Sequence, residues 1–418
     1  MKQIIVAFAM LFWFLGAFAR VLEVRNDFRA GSFASIREAV ENASANDTIF
    51  LVPKAGSNDP WAAKNVLIEK PLVFLGPQAG RLKIDGLMSV LLKNNVFTEF
   101  EISNIEMNQV GIVGESYTSQ LNFSVKINNC KINQLNMGSC NVQIFSSEIN
   151  AIDAINCSFS KIIGSKINGT NSSFPGYNKV SDSLLFVGNI FTGNHHLSYY
   201  AKQAIFLNNY ITPDGSGNKI FDAINNCDKK VIVNNFFDFR SFSSSFFQIS
   251  ATDYQDSLYN LYLSNLFLIN SNYGSNNYFY DCLFKNNLVV VSGVGENNFG
   301  SNFIPITSYF GNTQKNYNYA NFNQAIGNQK ASGGLVIVPD SLGQVFDSTY
   351  TINKGIAWPE FSDVDLTRND IGPSGGPFPI SNFWGAGAGK ASLYWVDLPW
   401  KVLGGNTPIK IKATSGSK

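Results

Sequence analysis

The chain has 418 residues and carries 31 Lys and Arg against 30 Asp and Glu, a formal charge of +1. Only 15% of residues are charged and 45% are hydrophobic, with 35 Gly and 35 Phe, a profile that disfavours a disordered chain and a charged helical bundle. No cationic excess is available to neutralise phosphates, which disfavours nucleic acid and anionic membranes as partners, and the length suits two or three ordinary domains or one long repeat array.

Lys2 precedes an apolar run from Ile4 to Ala19 that ends Ala17-Phe18-Ala19 before Arg20. A charge, an apolar core and a small-x-small ending predict a secretory signal at residues 1–19, removed on export. The run of 16 residues is short of the roughly 20 needed to span a bilayer as a helix. The expected product is extracellular or periplasmic, without a membrane span, and its charges balance at 30 each.

The next signal is a cap. In SFASIREAVENASANDTIFLVP, residues 32–53, Ser35 and Glu38 have capping-box spacing, and Ile36, Ala39, Val40 and Ala43 form one apolar helical face. After Asn46 and Asp47 the pattern becomes a strand, Thr48 to Val52, and KNVLIEKPLVFLG at 64–76 adds two more.

From about Val96 to Val291 a unit recurs: a short alternating apolar strand, an Asn or small residue, and a second apolar strand. It reads EFEISNIEMN at 100–109, SVKINNCKIN at 124–133, VQIFSSEIN at 142–150, FSKIIGSKIN at 159–168, LLFVGNIFTGN at 184–194, AIFLNNYIT at 204–212, VIVNNFFDF at 231–239, LYLSNLFLIN at 261–270 and YFYDCLFKNN at 278–287. The second residues of the central pairs are Asn104, Asn129, Ser147, Ser165, Asn189, Asn209, Asn235, Asn265 and Cys282, spaced 25, 18, 18, 24, 20, 26, 30 and 17 apart. Strand–turn–strand units at this period, with variable insertions, predict a β-solenoid in which each coil buries its inner face by stacking on its neighbours. Asn suits the corners, because it tolerates a left-handed backbone and stacks into amide ladders, and Phe suits the inward columns. Propeller signatures are absent, and a sandwich would favour hairpin turns.

Residues 300–340 predict a long loop or irregular coils, and ASLYWVDLPWKVLGGNTPIKIKATSG at 391–416 a small β appendage. The resulting domain division is 1–19 signal, 20–95 cap and first coils, 96–377 solenoid, and 378–418 appendage.

Residues 32–76 resemble the opening of right-handed parallel β-helix proteins of the pectin lyase-like type, with an amphipathic helix, an Asp-Thr-Ile step and a Lys-Pro-Leu-x-x-x-Gly strand. The tail TINKGIAWPEFSDVDLTRNDIGPSGGP at 351–377 is similar to the segment by which many secreted bacterial members leave the last coil. The resemblance implies an all-β, right-handed parallel β-helix with an N-terminal capping helix. It carries over no catalytic residue: the Asp-Asp, Gly-His-Gly and Arg-Ile-Lys strings of polygalacturonases and the Arg-x-Pro-x-x-Arg string of pectate lyases are missing.

The residues themselves offer weaker candidates. Cys130, Cys140, Cys157, Cys227 and Cys282 have no paired metal spacing and read as small buried hydrophobes. His195 and His196 are expected on a loop beside Tyr199 and Tyr200, with no acid nearby to complete a metal set. Asp222, Asp228, Lys229, Lys230, Asp238 and Arg240 are the densest charges of the repeats; they read as outward positions, or as one groove if the chain cleaves glycans. Asp363, Asp365, Thr367 and Asp370 loosely follow a Ca²⁺ loop, but Arg368 stands where its Gly belongs, so a salt-bridged turn is expected. Tyr254, Tyr259, Tyr262, Tyr273, Tyr278, Tyr280, Tyr309, Tyr317 and Tyr319 could stack on sugars or inside the coils. Asn42, Asn46, Asn122, Asn156, Asn168 and Asn171 begin glycosylation sequons, relevant only to a eukaryotic secretory route.

The expectation is a secreted, non-catalytic polysaccharide-binding or cell-surface module whose partner is polysaccharide or cell-envelope glycan. No catalytic, cofactor-binding or metal residue is assigned. The alternatives are a divergent polysaccharide lyase or glycoside hydrolase, and a structural adhesin.

Overall fold

A computed structural model describes residues 19–92, 98–114, 123–173, 180–212, 227–239, 260–270, 352–384 and the strands 248–249, 278–279, 283–285, 288–292, 391–397 and 412–417, apart from single positions and short loops inside the longer runs. Among these residues the chain winds into a parallel β-helix. One sheet has 12 strands, from Val21–Val24 to Leu283–Lys285, and the other has 14, among them Leu82–Leu92, Ile105–Gly114, Lys131–Gly138 and Leu288–Ser292. Along the first sheet each strand lies parallel between those of the preceding and following coils, as Asn141–Phe145 lies between Phe123–Asn128 and Ser158–Ile163. The all-β solenoid expected from the period is therefore the fold, and the appendage is an antiparallel pair, Ala391–Asp397 with Lys412–Ser417.

The coil corners follow one rule. A residue with positive φ turns the chain and the next points inward. The turning residues are Asn104, Asn129, Ser146, Gly164, Gly188, Asn208, Asn234 and Ser264, so the units are 25, 17, 18, 24, 20, 26 and 30 residues apart. This corrects the alignment read from sequence, which mixed turning residues (Asn104, Asn129) with inward ones (Ser147 to Asn265), Cys282 lying outside the described residues; the second and third units are separated by 17 residues. The error arose because Asn occurs at both positions and side-chain type alone cannot tell them apart.

The inward residues build a buried polar ladder. The N–H of Cys130 donates to Ser147 Oγ at 3.0 Å, that of Ser147 to Ser165 Oγ at 3.2 Å, and that of Ser165 to Asn189 Oδ1 at 2.9 Å. Asn189, Asn209 and Asn235 continue it, each N–H donating to the side-chain oxygen of the next coil at 2.9–3.1 Å. Their Nδ2 groups also reach backbone carbonyls, Asn209 that of Phe186 and Asn235 that of Phe206, both at 2.9 Å. Corner N–H groups that would otherwise be orphaned in the core are satisfied, which removes a penalty of about 1–3 kcal/mol apiece. Inward Phe side chains fill the space beside them, Phe186 meeting Phe206 edge-on at 4.7 Å.

The N-terminal cap is helix α1, Ile36–Asn42, with Ile36, Ala39 and Val40 turned inward. Ser35 Oγ accepts the N–H of Glu38 at 3.1 Å, as the capping-box spacing predicts, while Glu38 reaches back to the N–H of Ala34. Lys70 closes the other end, its Nζ 2.7 Å from the carbonyl of Ala43 and 3.3 Å from those of Val40 and Glu41. A cation at a helix C-terminus answers both the free carbonyls and the dipole. At Gly76 an added Cβ would run into the carbonyl of Asn104 on the next coil, so the first and last residues of Lys-Pro-Leu-x-x-x-Gly have separate mechanical reasons.

Residues 352–384 do more than leave the last coil: they run back along the outside of the first sheet. Gly372 N–H donates to Ser264 O, Asn369 pairs with Asn234 through both amides, and Asn208 Nδ2 donates to Pro373 O. Trp384 Nε1 ends the run at Gly188 O, 2.8 Å away. Phe383 is buried against Phe145, Ile163, Leu185 and Val187, which point outward from the helix. This strap gives the solenoid a second apolar layer outside its core.

Candidate functional site

With the strap over the later coils of the first sheet, the described surface with a regular open pattern is the early part of the second sheet. Asn108, Asn133, Asn150 and Asn168 form an exposed amide column: Asn133 Nδ2 donates to Asn108 Oδ1 at 3.1 Å, Asn150 to Asn133 at 2.8 Å, and Asn168 to Asn150 at 2.9 Å. Thr192 Oγ1 adds one step, donating to Asn168 Oδ1 at 2.5 Å. The column arises because each of these coils ends a charged–apolar dipeptide with Asn, in the sequences EMN, KIN, EIN and KIN at 106–108, 131–133, 148–150 and 166–168. Period-2 alternation sends Ile132, Ile149 and Ile167 into the core and the flanking residues out.

The first members of those tripeptides, preceded by Lys83 on the earlier coil, make a second column. Lys83, Glu106, Lys131, Glu148 and Lys166 stand in register, opposite charges on adjacent strands. Lys131 Nζ lies 3.6 Å from Glu106, and Arg81 reaches across coils to Glu148 at 2.7 Å while its Nε donates to Asn129 O. Alternation keeps the face near neutrality, and each exposed pair contributes about 0–1 kcal/mol. Asn136 and Asp153, opposite each other on neighbouring strands, extend the polar surface beyond the corner. The chemistry of this face is hydrogen bonding in both directions, repeated once per coil at the strand spacing of about 4.8 Å.

The residues singled out in the sequence are placed as follows. His195 and His196 lie in a strand, His195–Leu197, opposite Thr170 and Asn171, which corrects the expected loop; an insertion between corners supplied an extra strand that the flanking polar residues concealed. Asp222 and Arg240 lie outside the described residues. Asp228, Lys229 and Lys230 belong to the first sheet, whereas Asp238 belongs to the second, beyond the Asn234–Asn235 corner. The described members of this charge group are thus split between two sheets. Lys230 is fully buried while Lys229 is exposed, so charge does not always mark an outward position here. Tyr262 and Tyr278 lie in strands; Tyr254, Tyr259, Tyr273, Tyr280, Tyr309, Tyr317 and Tyr319 lie outside the described residues.

The acidic tail motif is a knot that shapes the strap. Asp363 Oδ1 accepts the N–H of Asp370 and of Gly376, Asp365 Oδ1 accepts from Thr367 N and Oγ1, and Asp370 Oδ1 accepts from Asn353 N. Arg368 Nε donates to Gly355 O. Hydrogen bonds from the Thr367 hydroxyl and N–H hold the Asp365 carboxyl below its usual range. Among the described residues no three His, Cys, Asp or Glu are placed to hold a metal, and no helix is long and apolar enough to cross a membrane. Of the cysteines, Cys130, Cys140 and Cys157 are buried, and burial pushes the Cys130 thiol up to about 12.

Sequence reasoning missed the exposed amide column, although its signal was present in the repeated charge-Ile-Asn tripeptide. No protein-family model matches the chain, and neither a curated protein nor a solved structure matches it.

Proposed function

We propose that the chain is a secreted, non-catalytic glycan-binding module of the cell surface or extracellular space, built on a pectin lyase-like β-helix. The observation that carries the reading is the outward column Asn108–Asn133–Asn150–Asn168. An extended glycan is itself a repeat of hydroxyl-bearing units, and a ladder of carboxamides offers it a donor and an acceptor at every coil. The bordering Lys and Glu add charge-assisted hydrogen bonds without a net field that would select polyanions. The two motifs behind the family resemblance serve mechanical ends, since Lys70 and Gly76 seat the cap and Asp363 to Gly376 shape the strap. Neither supplies reacting groups.

The test is retardation of the protein, residues 20–418, in gels cast with neutral and acidic polysaccharides, with absorbance monitored for unsaturated ends and reducing ends assayed. Retardation without new ends, weakened in the Asn133→Ala/Asn150→Ala double variant, is the expected result. New ends would replace this reading with a lyase or hydrolase. Retardation unchanged in the double variant would move the binding surface off this column, and no retardation by any polysaccharide would leave a structural, adhesin-like role.

A further inference from the structure

The two thiols of Cys140 and Cys157 meet inside the helix. Cys140 follows Ser139, whose φ is +53°, at the start of strand Asn141–Phe145, and Cys157 holds the equivalent place before Ser158–Ile163. Asn141 and Ser158 are in register, so the cysteines stand opposite each other on consecutive coils. Their Sγ atoms are 3.4 Å apart, and both residues are at most 1% exposed.

Opposed residues of adjacent strands are about 4.8 Å apart, inside the roughly 4.4–6.8 Å Cα window of disulfides. Bond formation needs the sulfurs to close by about 1.4 Å, within reach of a χ1 adjustment because both side chains already point at each other. The other described cysteines lack this arrangement. Cys130 Sγ lies 3.3 Å from the carbonyl oxygens of Ile102 and Asn128, which share its one S–H, and its ladder neighbour on the following coil is Ser147; Cys227 stands in register with Ala201.

We propose that Cys140 and Cys157 form a disulfide that staples two consecutive coils when the chain folds in an oxidising compartment. The two thiols give up two protons and two electrons to a disulfide oxidant, such as oxidised glutathione or a disulfide-bearing oxidase, which is split into two thiols. One cysteine attacks the oxidant as thiolate, forming a mixed disulfide, and the second displaces the departing thiol. This exchange belongs to folding, before the coils close. In the folded helix, the Cys140–Cys157 hydrogen bond together with burial keeps the Cys140 thiol protonated, and a thiol is a poor nucleophile. The assignment stands apart from the glycan reading: failure of one leaves the other intact.

The experiment refolds the full chain from guanidinium chloride in mixed oxidised and reduced glutathione, quenches it, alkylates it in denaturant and maps the peptides by mass. The expected result is a linked pair containing Cys140 and Cys157, about two mass units lighter than the sum of its reduced peptides and released by dithiothreitol, while Cys130 is alkylated. A second measurement follows unfolding in guanidinium with and without reductant. The midpoint should fall on reduction in the native sequence and stay put in the Cys140→Ser/Cys157→Ser variant. Full alkylation of Cys140 and Cys157 after oxidative refolding, or their pairing with other cysteines, would overturn the proposal.

Discussion

Asp370 is the residue of the strap whose protonation the surroundings alter most. Partial burial raises its pKa from 3.8 to about 6, with the charge of Asp363 adding to the rise and the N–H of Asn353 opposing it. Because the folded value lies above the unfolded one, the folded chain holds a proton between pH 3.8 and about 6 that the unfolded chain has released. Stability therefore increases as pH falls through that window and is lost as pH rises through it. Asp370→Asn, which imitates the protonated form, should flatten this dependence and raise the melting temperature at pH 7.5 by less than about 4 °C, as followed by circular dichroism across pH. Asp47 behaves oppositely. Burial alone would raise its pKa, but the Arg20 side chain and the N–H groups of Arg20 and Ser44 outweigh burial and hold it low. The two amide columns make a second comparison at this scale. Asn209→Ala removes the acceptor of the buried N–H and Nδ2 of Asn189 and should cost about 2–3 kcal/mol in guanidinium unfolding. Asn150→Ala, on the exposed column, should cost less than about 0.5 kcal/mol.

The strap is the element with the largest consequence for packing. Gly188 has φ +62°, and an added Cβ would collide with the Phe383 ring. Gly188→Ala should therefore cost about 1–3 kcal/mol from the left-handed backbone alone and lift the end of the strap, exposing residues 378–384 to limited proteolysis while the β-sheet circular dichroism persists. Helix α1 was legible in the sequence because its signals are local, Ser35 and Glu38 lying three residues apart. The tail motif was visible, but its partners were not: Asn234 and Asn369 are separated by 135 residues and Asn208 and Gly375 by 167, distances over which a single sequence holds no periodic signal. A trace of the second layer did exist. LLFV at 184–187, AIFL at 204–207 and VIV at 231–233 are unbroken apolar runs, the mark of strands covered on both faces, in contrast to the alternating FSVKIN at 123–128. The exposed amide column was hidden for another reason: amides in a repeat read equally well as corner residues, and only the corner geometry assigns Asn129 to a turn and Asn133 to a face.

At the scale of the whole molecule the solenoid has two unlike sides. The early second sheet carries alternating charge and amides, and the later first sheet carries Ile163, Leu185 and Val187 beneath Phe383. A chain ending at residue 351 should keep its coils yet bind a hydrophobic dye such as ANS and self-associate in sedimentation, because its outer apolar column has lost its cover. Dye binding equal to that of the full chain would show that this layer is not what the strap conceals. The buried ladder, finally, has an arrow. Asn189 gives its N–H to Asn209, Asn209 to Asn235 and Asn235 to Asn265, always from the earlier coil to the later one. Each coil is thus completed by the one synthesised after it. A chain emerging N-terminus first carries the N–H and Nδ2 of its newest corner amide as waiting donors, which the next corner amide accepts as it arrives, so synthesis and winding can advance in step.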